Sequence, residues 1–182
     1  MPVRTSKRSL TTTDAAILGV LSWGPMSGYD VKKTVDSTVG YVWGPAKSAI
    51  YAVLPRLVDD GLATARKVAQ SQRPDKIVYR ITSSGRAALK AWIEETPAPP
   101  DPNRNPLLLK LFFGDLSSPE VLADQIRTRR LEAELLRKEM DRFEAEADPR
   151  DLYTALTRAW GREYANAVIR WTRAAEAQLR GS

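Results

Sequence analysis

The most constraining feature of this chain is a change of hydrophobic period at about Leu62, from steps of three and four residues to strict alternation. Before it, Ala16, Ile17, Val20 and Leu21 share one side of a helix that starts near Thr13 and is stopped by Trp23, Gly24 and Pro25. Ser27 caps a second helix carrying Tyr29, Val31 and Val35, with Gly40 beyond its end, and residues 41–45 form a turn. A third helix, over about 46–60, sets Ile50, Val53, Leu54, Leu57 and Val58 on one face. Pro55 is expected to kink it, and Gly61 fits the left-handed position after it. Residues 63–68 and 76–81 then read as two strands joined by the polar loop 69–75. Residues 82–84 cap a fourth helix whose stripe is Ala87, Ala88, Leu89, Trp92 and Ile93.

The second half has another pattern. Five of the 12 prolines lie in 97–106, which predicts a stiff, extended connector. Residues 107–113 form a short, nearly all-apolar segment that must be buried against something. Ser117 or Ser118 caps a long helix opened by Pro119, with Leu122, Ile126, Leu136, Met140 and Phe143 on one side. A second long helix, from about 149 to 180, carries Leu152, Leu156, Trp160, Tyr164, Val168, Trp171 and Ala175 at three- and four-residue steps. The expected organisation is a flexible basic arm over 1–12, a first domain over 13–96, the connector over 97–106 and a helical domain over 107–182.

Composition narrows the chemistry. The chain has no cysteine and no histidine. Structural Cys/His zinc sites, disulfides, cysteine nucleophiles and Ser-His-Asp triads are therefore impossible. Glu132, Glu134, Glu139 and Asp141 alternate with Arg and Lys, as solvated ion pairs on a helix face do, and no glycine-rich phosphate loop appears. We expect a protein that is not an enzyme and uses neither metal nor cofactor. No apolar run approaches the roughly 18–20 residues that span a bilayer, and the N-terminus has no hydrophobic leader, so a soluble cytoplasmic protein with no membrane partner is expected. The net charge is +6, and all of the excess falls before residue 97: residues 1–96 carry +6 and the rest 0. A polyanion-binding module joined to a neutral partner has this distribution.

Helix, helix, turn, helix and two-stranded hairpin is the order of a winged helix-turn-helix, in which the third helix enters the major groove of DNA. The fold class expected is therefore mainly α with a small β-hairpin wing, followed by a C-terminal α-helical dimerisation domain. Burying Ile50, Val53, Leu54 and Leu57 leaves the third helix's first turn and opposite face outward. That places Lys47, Ser48 and Tyr51 at the groove, where they can meet phosphate, sugar and base edges, and the helix's exposed N-terminal amides add an anion site. For Tyr51, partial burial as a packing residue is the alternative. Arg56 is expected behind this face, solvated. In the wing, Lys67, Arg73 and Lys76 suit phosphate contacts, although lysines on an exposed hairpin also serve to block edge pairing.

The residues then resemble a known family. The stretch Ile17-Leu18-Gly19-Val20-Leu21-Ser22-Trp23-Gly24-Pro25-Met26-Ser27-Gly28-Tyr29, the segment Ser48-Ala49-Ile50-Tyr51 through Gly61-Leu62, and Tyr79-Arg80-Ile81-Thr82 with Gly85 and Leu89 are similar to the three signatures of the PadR-type transcriptional regulators. Together they cover about residues 10–95, and the C-terminal pattern resembles the larger members. The resemblance implies a homodimeric, sequence-specific DNA-binding regulator, usually a repressor, that binds a two-fold operator and is often released by a small ligand. Gly44-Pro45-Ala46-Lys47, with its lysine, and Ser71-Gln72-Arg73-Pro74 depart from the usual forms, so base preference does not carry over.

Independently of that resemblance, a lone pair of long helices would leave an apolar face bare, and dimerisation would cover it. The expected dimer surface comprises Leu109, Phe112, Leu156, Trp160, Tyr164, Val168 and Trp171. Trp92, Trp160 and Tyr164 are candidates for a pocket holding a small aromatic or apolar effector, with core and interface filling as their other role. The rival function is a winged-helix protein-interaction adapter without specific DNA binding.

Overall fold

A computed structural model describes residues 9–69, 75–95, 97–98, 105–145 and 151–180. The chain divides between Pro99 and Pro100 into two compact units.

The first unit is built around α1 (Thr12–Leu21), whose Ile17, Leu18, Val20 and Leu21 are buried on nearly all sides by α2 (Gly28–Ser37), α3 (Lys47–Asp59), α4 (Ser83–Glu95) and a small sheet. Thr11 and Ser27 start α1 and α2 with reciprocal capping boxes, closed by Asp14 and Asp30, so the first helix begins within the span expected for the arm. Residues 1–8, with Arg4, Lys7 and Arg8, lie outside the described residues. Val31 and Val35 of α2 and Ile50, Val53, Leu54 and Leu57 of α3 complete the core. Fully burying an aliphatic side chain of this size contributes roughly 2 kcal/mol. α3 continues through Pro55, which is exposed, so the missing N–H costs one bond without ending the helix. Gly61 follows with φ +70°, as expected.

β2 (Ala63–Val68) and β3 (Lys76–Ile81) form the expected antiparallel hairpin, with Ala63 opposite Ile81 and Val68 opposite Lys76. The sheet has a third strand that periodicity did not reveal. β1 (Met26–Ser27) pairs with Tyr79 and Val78 and ties the wing to the first residue of α2. α4 starts tightly against the sheet: a Cβ at Gly85 would lie 2.1 Å from the Leu62 carbonyl oxygen, so only glycine fits.

The second unit contains α5 (Pro106–Phe112), a 3-10 turn (Gly114–Leu116), α6 (Pro119–Ala145) and α7 (Leu152–Arg180). Asn105 caps α5 by accepting from the Leu107 and Leu108 amides. α6 and α7 pack along their length through Leu122, Ala123, Ile126, Ala133 and Met140 on one side and Gly161, Ala165, Ile169 and Thr172 on the other. Ion pairs link Arg130 and Arg127 to Glu176, and Glu144 to Arg158 and Arg162. One expectation changes here. The 107–113 segment is not enclosed: Leu108, Leu109, Phe112 and Phe113 are exposed, with Leu107 and Leu111 half-buried. In α7 the small residues meet α6, which lets the helices approach closely. The stripe of Leu152, Leu156, Trp160, Tyr164 and Trp171 therefore faces outward, with Val168 half-buried. Among the described residues, no helix is long and apolar enough to cross a membrane.

Candidate nucleic-acid interface

α1 and α2 both begin with capping boxes, but α3 begins at Ala46 with no side-chain cap, and Ala46, Lys47 and Ser48 are all exposed. The first backbone N–H groups of α3 are left pointing outward, with the positive end of the helix dipole behind them. Lys47, Ser48 and Tyr51 surround this end, and the face carrying Ile50, Leu54 and Leu57 is fully buried. The Lys47 ammonium lies 5.9 Å from the centroid of the Tyr51 ring, within cation–π range.

Tyr51 is 45% exposed, and its ring rests on Gly28, the first residue of α2. It also lies beside Tyr79 of the wing: burial, together with Tyr51, pushes the Tyr79 hydroxyl above its ordinary pKa. At the start of α2, the Ser27 hydroxyl donates to Asp30 at 2.6 Å. This bond holds the Asp30 carboxyl below the usual carboxylate range against the opposing effect of burial, and Lys76 and Lys33 act in the same direction. Lys76 of the wing and Lys33 of α2 thus lie within electrostatic reach of one carboxylate. The start of α2, the start of α3 and the root of the wing form one basic surface.

The hairpin register sorts the wing cations. Opposed residues share a face, so Arg80, Arg66 and Lys76 lie on one side with Thr64. Lys67 lies on the other with Ile77, on the same side as the buried Ala63, Tyr79 and Ile81. Lys67 is ion-paired with Asp75 at 2.9 Å, which offsets its charge, and Arg73 lies outside the described residues. The sequence reading passed over Arg66, Arg80 and Tyr29. All three are exposed, and strand parity would have marked the two arginines as partners of Lys76.

Arg56 is not simply solvated. It donates from Nη2 to Oδ1 of Asp14 at 2.5 Å, and Asp14 is completely buried. This pair joins the start of α1 to the last turn of α3 and fixes α3 from behind.

In the second unit, Trp160 and Tyr164 stack at 5.4 Å with rings 5° from parallel, and Arg129 donates to the Tyr164 hydroxyl at 2.7 Å. Trp92 belongs to the first unit, half-buried on α4. Two grooves lie between α5 and α6, one of about 260 Å³ beside Leu107, Lys110, Gln125 and Arg129. The other, of about 380 Å³, lies beside Leu109, Phe113 and Leu122. Trp160 and Tyr164 line neither of them. Among the described residues, no three acidic side chains gather as metal ligands would.

Comparison with known proteins gives concordant results. Residues 17–91 match the transcriptional regulator PadR-like family, and residues 103–180 match the virulence activator alpha C-terminal family. The negative transcriptional regulator PadR of Bacillus subtilis is 30% identical over 159 residues, which cover 81% of this chain and 87% of the relative. The crystal structure of Bacillus subtilis PadR with operator DNA superposes with a TM-score of 0.77 at 24% identity, over 93% of this chain and 99% of that one. The structure of Bacillus subtilis PadR with p-coumaric acid does so with a TM-score of 0.70 at 25% identity, over 98% and 99%.

Proposed function

Because the chain belongs to the PadR-like family of transcriptional regulators, we propose that it works as a homodimeric repressor, reading a two-fold operator with α3 and released by a small ligand. The observation that carries this reading is the uncapped start of α3, where free backbone donors, Lys47, Ser48 and Tyr51 converge on an exposed surface backed by a rigid core. A major groove offers phosphate oxygens to the amides and the ammonium, and base edges to the side chains just beyond them. Arg66, Arg80 and Lys76 extend the positive surface along the wing, where contacts strengthen binding without choosing sequence. Tyr29 stands at the start of α2, the helix that crosses the backbone in this architecture.

The outward stripe of α7 supports the homodimer. Leu152, Leu156, Trp160 and Trp171, joined by Leu131 and Leu135 of α6 and by Leu109 and Phe112 of α5, expose more large apolar surface than a lone chain sustains in water. A second copy carries the same stripe, so a two-fold pairing covers both. For the effector, the complex of the Bacillus subtilis relative with p-coumaric acid favours a small aromatic compound, with the stacked Trp160 and Tyr164 of the second unit as the proposed contacts. The relative named a negative regulator favours repression.

Selection of bound fragments from sheared genomic DNA by the purified chain, followed by a promoter reporter, tests the reading. A shared inverted-repeat sequence whose reporter is silenced by the protein is expected. Enrichment without any common sequence would favour the interaction adapter instead.

A further inference from the structure

We propose that Gly28 is a positioning residue for DNA reading: its lack of a side chain seats the Tyr51 ring and so aims α3's groove-side face. The proposal rests on the reading of Tyr51 as a DNA contact.

The geometry isolates one cause. Gly28 is the first residue of α2, and Gly61 is the only described glycine with positive φ, so the backbone at 28 makes no demand that alanine fails to meet. Alanine is the better helix former, and nothing about α2 favours glycine there. What a Cβ would meet is Tyr51, with Cε1 at 3.0 Å and Cζ at 3.4 Å. Leu54 Cδ1 of the buried core, among the three nearest atoms, is at 3.4 Å, an ordinary contact. A methyl group at 28 therefore presses on one side chain only. That side chain is half-exposed, so its ring can swing outward while the core stays in place. Swinging it disturbs a neighbour of the same surface, the Lys47 ammonium over its face. The expected lesion is a chain that folds normally and aims badly.

The test is a four-way comparison of wild type, Gly28→Ala, Tyr51→Ala and the double variant. Fluorescence anisotropy would follow binding to a duplex selected by the wild-type chain from a randomised library, and to a scrambled duplex of the same length. Tyr51→Ala is expected to weaken binding to the selected duplex by about threefold to tenfold, the value of one lost polar contact, with little change on the scrambled one. Gly28→Ala should show a similar selective loss, melt at or above the wild-type temperature, and add no further loss once Tyr51 is alanine. Equal losses from Gly28→Ala in both backgrounds, no loss at all, or a melting temperature several degrees lower would each overturn the assignment. Should Tyr51→Ala itself bind like wild type, the reading of Tyr51 as a contact fails, and that outcome is visible separately from the effect of Gly28.

Discussion

Replacing Arg56 by alanine should destabilise the first unit more than replacing its buried partner, Asp14. The carboxylate of Asp14 has no solvent exposure, and Arg56 has 42% of its side chain in solvent. Oδ2 of Asp14 accepts the Thr11 amide at 2.8 Å, and Oδ1 takes the Arg56 guanidinium. Removing the guanidinium takes one charged partner from a buried carboxylate, a loss of 3–5 kcal/mol when both partners are enclosed. Here the vacated space opens to water, so about 2–3 kcal/mol is expected. Removing the carboxylate forfeits the return arm of a capping box, roughly 1 kcal/mol, and frees an arginine that can rehydrate. We therefore expect Arg56→Ala to cost about 1 kcal/mol more than Asp14→Ala, and the double variant to resemble the Asp14 single. Urea unfolding of the three variants, followed by circular dichroism, measures these differences. An Arg56→Ala penalty at or below about 0.5 kcal/mol would mean that the pair behaves as an ordinary surface ion pair and does not fix α3.

Other consequences are independent of that pair. At Gly85 a methyl group would collide with backbone at 2.1 Å and with Ile81 Cγ1 at 2.8 Å, so Gly85→Ala should lose about 3 kcal/mol by urea unfolding, in contrast to the tolerated Gly28→Ala. Trp160→Glu puts a charge in the centre of the outward α7 stripe. Sedimentation should return monomers that keep their helix content, and a persistent dimer would move the interface elsewhere. Glu176 is held below its ordinary pKa of 4.5 by the hydrogen bond from Arg130, with Arg180 and Arg127 adding to it. Its contribution to stability is thus fully present above about pH 4.5 and is lost as pH falls through the lowered folded-state value. Melting curves between pH 7 and 3 should show this acid loss in the wild type and a smaller one in Glu176→Gln.

The helices and the hairpin were legible because their apolar periods are long enough to count. Five or more turns of consistent spacing mark α6 and α7, and the alternation of 76–81 marks β3. β1 was invisible because two residues carry no period, and its strand character comes from pairing with residues 51 and 53 positions away. Pro55 suggested a kink from local chemistry; it sits on the exposed side of α3, and the helix runs unbroken through it to Asp59 while Leu54 and Leu57 stay in the core. Arg56 looked solvated because its partner is 42 residues upstream. In α7, counting large apolar residues found the outward stripe but not the seam: Gly161 and Ala165 meet α6, and small residues leave little hydrophobic signal. The exposure of Lys47, Ser48 and Tyr51 was legible by elimination, as the residues left over once the core of α3 was assigned. Arg66 and Arg80 were missed because the hairpin tip was weighed and the register was not.

The most direct test of the idea that two copies read DNA through the start of α3 is a hydroxyl-radical footprint on the selected duplex. Wild-type protein should protect two stretches about one helical turn apart, roughly 34 Å between centres, and Lys47→Ala should lose both together at equal concentration. A single protected stretch, or a footprint that Lys47→Ala leaves unchanged, would contradict it.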